Sequence, residues 1–340
     1  MFFALTDDQR EFDAAVRGYL ADRFDLAAVR AVVEDRDPGA GHPATLWKAA
    51  AEQGWLAVLV PEEHDGLGLG LVEAQVIARA LGAGLAPGPW RGTVLAAEAI
   101  RLAGSDEQRA TWLPRLAAGD AVGAVAARGR APGTLPAVEY GAVADVLVAP
   151  SAQGLTLLEE VTATPRASYD GTVRLADVQA GAGTALPGAT PEVVADLAAR
   201  AAVLVAADLV GTAREALRRT VAYDRERQQF GVPVGSFQAI KHALADLHVG
   251  VTLAEHAALY AAHALDARLD DVPLAVSVAK AKASDAALAA TAAMIQYHGG
   301  IGYTWEHDAH FFFKRAKREE YAYGSGAEHR EKIAALLVDA

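Results

Sequence analysis

The chain alternates long stretches of helical hydrophobic periodicity with one interval of short apolar runs. A first helix is predicted from Thr6 to about Phe24, because Thr6 and Gln9 form a capping-box pattern and the apolar residues that follow recur at helical spacing. Ser105 and Gln108 form a second capping box. The same periodicity predicts further helices in the first third of the chain, at about 43–53, 71–85, 92–103 and 106–117.

The pattern changes between residues 121 and 188. Helical periodicity fades, and short β-prone runs are separated by Gly, Pro, Asp and Ser. The runs are VGAVAA, AVADVLVAP, LTLLEEV and GTVRLADV. They predict a small β domain between two helical domains.

From residue 189 onward the helical pattern returns in longer segments. Thr190, Pro191 and Glu192 open a helix that runs to Tyr223 or beyond, since they supply an N-cap, a proline at the first helical position and an early acid. Further helices are predicted at about 236–268, 272–298, 306–319 and 326–338. Long antiparallel helices with alanine-rich faces pack closely, which predicts a four-helix bundle. The fold class is therefore mainly α with a small β domain, divided into a helical domain 1–120, a β domain 121–188 and a helical bundle 189–340.

Composition narrows the classes of function. Apolar residues make up 52% of the chain, enough for extensive cores, and the net charge of −12 argues against a nucleic-acid surface. Cysteine is absent, which excludes disulfides, thiolate catalysis and zinc–thiolate sites. The N-terminus has no secretory-signal pattern and no apolar stretch reaches the roughly 20 residues of a membrane span, so a cytoplasmic protein is expected.

Two segments carry the strongest chemical signals. Thr220–Leu247 is the charged end of one helix, a break at FGVP and the start of the next helix. Backbone N–H groups at a helix start, with Arg227 beside them, favour an anion. Gln296–His307 ends an apolar helix with Gly299 and Gly300, where a ligand can approach the backbone closely. Taken singly, such features are more typical of a solvated charge and a plain helix stop.

Other catalytic motifs do not occur in the sequence. There is no P-loop, no dinucleotide-binding fingerprint and no G-x-S-x-G elbow. His307 and His310 are three residues apart, but no third ligand is close in sequence, so a structural role is favoured over a metal site and no metal is expected.

Together, the two segments resemble the acyl-CoA dehydrogenase family, in which Y-x-x-x-R-x-x-F-G-x-x-x-x-x-x-Q and Q-x-x-G-G-x-G segments clamp FAD. The resemblance covers nearly the whole chain more weakly, and implies that family's fold. It implies that Arg227 pairs with the FAD pyrophosphate, to which the planar guanidinium is suited. The other implied cofactor contacts are Gln229, Phe230, Gln238, Gln296, Tyr297, His298, Gly299 and Gly300. In the family these groups act on FAD held mainly by the adjacent subunit.

The resemblance also locates the catalytic base. In the family a glutamate removes a proton next to the thioester of an acyl-CoA while the β-hydride passes to FAD. Its two alternative positions correspond to Tyr323 and Ala201, and neither side chain accepts a proton at neutral pH. Asp208 is the nearest acid on the helix of Ala201, but it is more typical of a buried partner for a basic or hydroxyl group. Glu319 and Glu320 are expected to be solvated charges.

A chain that keeps the residues reaching toward a neighbour's flavin, but lacks a base and has a short β domain, resembles the small subunit of actinobacterial α2β2 steroid side-chain dehydrogenases. The implied function is a non-catalytic subunit of an FAD-dependent acyl-CoA dehydrogenase that oxidises a steroid-CoA, such as a cholesterol side-chain CoA. Its implied partners are a second, catalytic subunit and an electron acceptor such as electron-transfer flavoprotein. Two alternatives stay open: a self-sufficient homotetrameric enzyme that uses Asp208 or another acid, and a flavin-free scaffold or regulatory protein.

Overall fold

The computed structural model describes residues 4–35, 37 and 41–338. Within these ranges, helices cover most of the chain and strands occupy one central interval. The helices are α1 (Asp7–Arg23), α2 (Leu26–Glu34), α3 (Ala44–Glu52), α4 (Leu71–Ala83), α5 (Trp90–Ala103), α6 (Asp106–Ala117), α7 (Pro191–Glu226), α8 (Gln238–Ala267), α9 (Val272–Tyr297), α10 (Ala309–Tyr321) and α11 (Gly326–Val338). The sequence predicts that the N-terminus has no secretory signal, and the first three residues of that segment lie outside the described residues.

The predicted capping boxes start their helices. At α1, the Thr6 hydroxyl accepts from the Gln9 N–H at 3.2 Å, and the Gln9 side chain accepts from the Thr6 N–H at 3.0 Å. Ser105 caps α6 in the same way. Helix α2, which has nine residues, was not predicted from the sequence. The Asp25 carboxylate starts it by accepting two backbone N–H groups, at 3.0 and 3.1 Å.

Most strands lie between residues 123 and 185, where the sequence predicts the β domain. They are β1 (Gly123–Val125), β2 (Gly133–Glu139), β3 (Val146–Ser151), β4 (Gly154–Leu158), β5 (Thr162–Arg166), β6 (Leu175–Ala180) and β7 (Thr184–Ala185), followed later by β8 (Gln228–Gln229) and β9 (Val232–Pro233). Strands β1, β3, β4 and β7 form a mixed sheet, with β1 and β3 parallel, and β2, β6 and β5 form an antiparallel sheet. Leu135, Leu147 and Val178 lie in the buried core to which both sheets contribute.

Two of the longer strands escaped prediction. Strand β2 contains Pro136 and a bulge between Leu135 and Val138, and β5 contains Pro165 and is largely exposed. Proline and exposure both remove the apolar alternation by which a strand is identified. The four runs identified from sequence correspond to β1, β3, β4 and β6.

The chain forms two compact units. One contains residues 1–30, 75–86 and 202–340, and the other contains residues 31–74 and 87–201. The three-domain boundaries drawn from sequence remain a prediction. Within the described ranges, none of the helices combines the length and apolar character needed to cross a membrane.

In the first unit, α4 and α7 approach each other closely. A Cβ atom on Gly82 would lie 2.2 Å from the carbonyl oxygen of Asp208, and one on Gly211 would lie 1.9 Å from that of Arg79. Neither distance is compatible with a side chain, so glycine is required at both positions. In the same unit, α9 packs against α8, α10 and α11, which confirms the predicted packing of long C-terminal helices.

Candidate functional site

The break between α7 and α8 is a tight hairpin. Strands β8 and β9 pair in it, and Phe230 and Gly231 at its tip both have positive φ angles, of 54° and 79°. Positive φ at both central residues is typical of a hairpin turn whose twist matches its strands. The Val234 N–H donates to the Arg227 carbonyl at 2.8 Å and closes the loop. The sequence FGVP predicts the break, but not the pairing.

Side chains of this turn point away from the chain. Phe230 is 93% exposed, and Arg227, Gln229 and Gln238 are exposed as well. Among the described residues, the Arg227 guanidinium has no hydrogen-bond or ion-pair partner, whereas the Gln229 side chain donates to the Gln228 carbonyl at 2.8 Å. The arginine is therefore available to an anion from outside the chain.

The second segment ends α9 and forms a short 3-10 turn over Gly299–Tyr303. Gly299 has a φ of +64°, which favours glycine, but no described atom lies within 4 Å of where its Cβ would be. The same space surrounds Gly300, whose φ is not positive. A Cβ on Gly302, in contrast, would lie 2.5 Å from the Ile295 carbonyl oxygen. Gly302 is thus required by the fold, while nothing inside the chain requires glycine at 300.

Three aromatic side chains join the two segments. The Tyr223 ring on the last turn of α7 stacks on His298 with centroids 4.3 Å apart and an interplanar angle of 23°. The Tyr223 hydroxyl also lies 3.4 Å from the His298 carbonyl oxygen. His298 in turn lies against His307, with centroids 4.5 Å apart. These residues are named the aromatic stack below; Tyr297 and Gln296 precede it on α9, half-buried and exposed respectively.

Burial shifts the pKa values of two titratable groups in this region. Burial lowers the pKa of His298, although its hydrogen bond to Met294 opposes the shift. Burial raises the pKa of Asp224, which lies on α7 between Tyr223 and Arg227, to about 6. Asp224 is 1% exposed, and both of its carboxylate oxygens lack a hydrogen-bond partner within the described structure. No sequence signal marks Asp224, because its burial depends on how the hairpin folds back over α7.

Asp208 and the two positions that correspond to the family's base, Ala201 and Tyr323, lie in three different settings. Asp208 is buried and ion-paired with Arg315, with distances of 2.6 Å from Nη2 to Oδ2 and 3.1 Å from Nε to Oδ1. Ala201 is buried on α7. Tyr323 lies in a turn with a φ of 54°, and its carbonyl oxygen is 3.1 Å from His329 Nε2.

The expectation that Glu319 is a solvated charge is wrong. Glu319 is fully buried, and its carboxylate lies 2.5 Å from Arg318 Nη2 and 3.7 Å from Arg315 Nε. The helical spacing of α10 turns Glu319 inward beside Arg315, and an adjacent arginine compensates its charge. Glu320 is half-buried, with Lys317 at 3.4 Å.

Both segments contain several large apolar side chains that are exposed. Tyr303 is 89% exposed, and the others that exceed a third exposure are Phe230, Val232, Phe237, Ile301 and Trp305. Contiguous exposed apolar surface is typical of interaction sites, and these six side chains all belong to the two segments.

These features fit an FAD molecule presented from outside the chain. An unpaired guanidinium supplies the donors that a pyrophosphate needs. Open space over Gly299 and Gly300 lets a flat ring or a ribose approach the backbone, and exposed glutamines supply further polar contacts. The donor set is thus suited to the nucleotide part of a dinucleotide.

Comparison with known proteins agrees with these features. Residues 6–120 match the family model for the acyl-CoA dehydrogenase N-terminal domain, and residues 192–338 match that for the C-terminal domain. The chain is 37% identical over 315 residues to acyl-CoA dehydrogenase IpdE2 of Mycobacterium tuberculosis, across 91% of each protein.

Two solved structures have the same fold. The crystal structure of the ChsE4-ChsE5 complex from Mycobacterium tuberculosis aligns with a TM-score of 0.89 at 24% identity, covering 100% of both chains. The Tcur3481-Tcur3483 steroid ACAD aligns with a TM-score of 0.87 at 27% identity, covering 98% of both chains. The fold implied by the sequence resemblance is thereby confirmed.

Proposed function

The chain belongs to the acyl-CoA dehydrogenase family of FAD-dependent oxidoreductases, and from this premise we propose that it is the non-catalytic subunit of a heteromeric member. One observation carries the proposal: among the described residues, the exposed Arg227 guanidinium has no partner, and open space surrounds Gly300. The two positions that the resemblance assigns to the family's glutamate, Tyr323 and Ala201, carry no carboxylate.

In this proposal the bound FAD supplies the hydride acceptor for α,β-dehydrogenation of an acyl-CoA. Arg227 holds the pyrophosphate, and Gln238 and Gln296 donate to the same nucleotide. Gln229, Phe230 and the segment Tyr297–Gly300 form the wall against which the nucleotide lies. The partner subunit supplies the carboxylate that removes the α-proton and most of the flavin pocket.

Asp208 is a poor candidate for that carboxylate. A general base must reach the proton that it abstracts, and both Asp208 oxygens are engaged by Arg315 inside the bundle. Burial by itself would lower the pKa of Arg315, but the Asp208 carboxylate raises it above the ordinary value, which keeps the pair charged. The ion pair therefore argues against the self-sufficient homotetramer that uses Asp208, and leaves open one that uses another acid.

The substrate and the remaining partners follow from the same premise. A steroid-CoA is proposed because the chain shares its fold and 27% identity with a steroid ACAD. A second, different dehydrogenase subunit in an α2β2 assembly is supported by the likeness to a chain of the ChsE4-ChsE5 complex. Electron-transfer flavoprotein as electron acceptor, and a cytoplasmic location, stay predictions.

Co-expression with a neighbouring dehydrogenase gene tests the proposal. We expect a complex of two different chains that carries flavin absorbance, whereas the chain purified alone carries little and does not oxidise an acyl-CoA. A lone chain that oxidises acyl-CoA at full rate would favour the homotetramer. A complex that forms without flavin would favour the scaffold protein.

Arg227→Ala in the complex tests the clamp itself. Loss of a charge-assisted hydrogen bond, which contributes about 1.5–3 kcal/mol, should weaken FAD retention by roughly 10- to 100-fold. Arg225→Ala is the matched control, because Arg225 is also exposed and lies two residues away. Equal flavin content in the two variants would remove Arg227 from the site. Turnover with a steroid-CoA against a straight-chain acyl-CoA then tests the substrate class.

A further inference from the structure

The aromatic stack connects the two segments at the point where each begins its turn. Tyr223 precedes Arg227 by one helical turn of α7, and His298 immediately precedes Gly299. The ring contacts of 4.3 Å between Tyr223 and His298 and 4.5 Å between His298 and His307 therefore link the hairpin to the glycine turn. The stack is therefore a direct contact between the ends of α7 and α9.

The hydrogen bond of His307 requires a neutral ring, whereas that of His298 fits both the neutral and the protonated ring. His298 Nδ1 lies 2.7 Å from the Met294 carbonyl oxygen, so this nitrogen carries a hydrogen. His307 Nδ1 accepts from the Ala309 N–H at 3.1 Å, so this nitrogen carries none. Protonation of His307 would place one N–H against another and break that bond.

The groups around the stack also disfavour added positive charge. A cavity of about 260 Å³ borders it, lined by Arg218 and Arg219 from α7, by Ala222, and by Met294, His298, His307 and Asp308. Arg30 from α2 is paired with Asp308 at 2.5 Å, and Arg218 and Arg219 are both bonded to Glu215. Burial lowers the pKa of His307, with Arg219 and Arg30 adding to the effect and Asp308 opposing it.

We propose that the aromatic stack is a positioning device, which holds the Arg227 hairpin and the Gly299–Gly300 turn at the separation that grips FAD only while His298 and His307 are both neutral. The inference rests on the proposed function, because it assumes that these two turns grip the cofactor. Acidification places like charges on rings 4.5 Å apart, beside arginines, and breaks the His307–Ala309 bond. The rings then separate, and the clamp loosens.

Flavin retention by the assembled complex is the first test. Because burial lowers the pKa of both histidines, the test extends well below their ordinary range: after desalting at pH 7.5 and at pH 4.5, the unaltered complex should lose flavin at least tenfold faster at the lower pH. His307→Phe keeps a ring in the stack but has neither the titrating group nor the Nδ1 acceptor for the Ala309 N–H. Its flavin loss at pH 7.5 should therefore be somewhat faster than that of the unaltered complex, and should differ less than twofold between the two pH values. His256→Asn removes an exposed histidine of α8 and should behave as the unaltered complex does. An equal acid response in His307→Phe overturns the proposal.

Hydrogen exchange gives a second test that does not need the cofactor. In the full chain, protection of residues 227–238 and 299–305 should fall together between pH 7.5 and 4.5, after correction for intrinsic rates. In His307→Phe, acid should cause no further fall. If protection in the unaltered chain is the same at both pH values, the stack is not a positioning device. A complex that holds no flavin at pH 7.5 instead overturns the proposed function, and exchange still decides the role of the stack.

A second variant covers the case in which His307→Phe does not fold. In His307→Asn, the amide oxygen replaces Nδ1 as acceptor for the Ala309 N–H, while ring and charge are both lost. This variant should show weak flavin retention at both pH values, because the ring that completes the stack is missing. Retention equal to that of the unaltered complex at pH 7.5 would show that the ring contact positions nothing.

Discussion

The Asp208–Arg315 pair is a buried charge interaction whose two partners lie 107 residues apart in sequence. Sequence reasoning placed Asp208 as a buried partner for a basic or hydroxyl group, and a basic partner is what the structure contains. It could not name Arg315, because only the packing of α10 against the bundle brings the guanidinium to the carboxylate. A pair of this kind contributes little net stability, but breaking it is costly, since one charge is left buried and uncompensated.

Replacement of Arg315 by leucine should therefore lower the free energy of unfolding by about 3–5 kcal/mol. The double variant Asp208→Leu/Arg315→Leu should recover most of that loss, because neither charge remains. Chemical denaturation followed by circular dichroism measures both. Equal destabilisation in the single and double variants would show that loss of the ion pair is not the cause of the lower free energy of unfolding.

Asp208→Asn separates a structural role from a catalytic one. In the assembled complex, turnover per bound flavin should stay within about twofold, whereas removal of a general base costs about 10²–10⁴-fold. Stopped-flow reduction of the flavin by an acyl-CoA measures this rate directly. A loss in the larger range would make Asp208 the base and favour the self-sufficient enzyme.

Asp224 leads to a prediction about pH. Burial raises its folded-state pKa from 3.8 to about 6, so the folded chain binds a proton more tightly than the unfolded chain. This contribution to stability is fully present below pH 3.8 and is lost as the pH rises through 6. Asp224→Asn should consequently raise the melting temperature by a few degrees at pH 7.5, and by less at pH 4.5. A lower melting temperature at pH 7.5 would indicate that the ionised carboxylate has a stabilising partner.

At the scale of elements, the sequence is most informative where one residue type is forced by local geometry. Capping boxes fixed the starts of α1 and α6, and β-prone runs located β1, β3, β4 and β6. Strands β2 and β5 were missed because prolines and exposure erase the alternating pattern. The hairpin of β8 and β9 was missed because a two-residue strand has no periodicity to detect.

The glycine turn shows a further limit of sequence reasoning, since HGGIG contains glycines with different roles. Gly302→Ala should destabilise the fold by about 1–3 kcal/mol, because its Cβ would lie 2.5 Å from the Ile295 carbonyl oxygen. Gly300→Ala should change stability by less than about 0.5 kcal/mol but should weaken flavin retention in the complex roughly tenfold, because the methyl group would fill space that the proposed function assigns to the nucleotide. Thermal unfolding and flavin absorbance measured on both variants test the contrast. Unchanged flavin content in Gly300→Ala would remove this glycine from the proposed site.

The net charge of the molecule and its exposed aromatic side chains have opposite effects on its tendency to associate. A net charge of −12 favours solubility through mutual repulsion, yet Phe230 and Tyr303 are almost fully exposed at the clamp. Sequence alone predicted that these segments face a neighbour, but only by resemblance, since no pattern in a single chain reveals which apolar residues stay uncovered. That these segments face a neighbour stays a prediction, and the exposed rings offer a direct way to test it.

If the proposed function holds, Phe230→Ser/Tyr303→Ser should weaken assembly with the proposed catalytic partner without unfolding the chain. Truncating central aromatic residues of an interface costs about 2 kcal/mol or more each, so the dissociation constant should rise by at least 100-fold. The fold should be unaffected, since neither side chain packs in the core. Tyr169→Ser is the matched control, because Tyr169 is 60% exposed on the other compact unit and lies in neither clamp segment. Analytical ultracentrifugation of the co-expressed pair measures the assembly, and a double variant that binds its partner as tightly as the control would place the interface elsewhere.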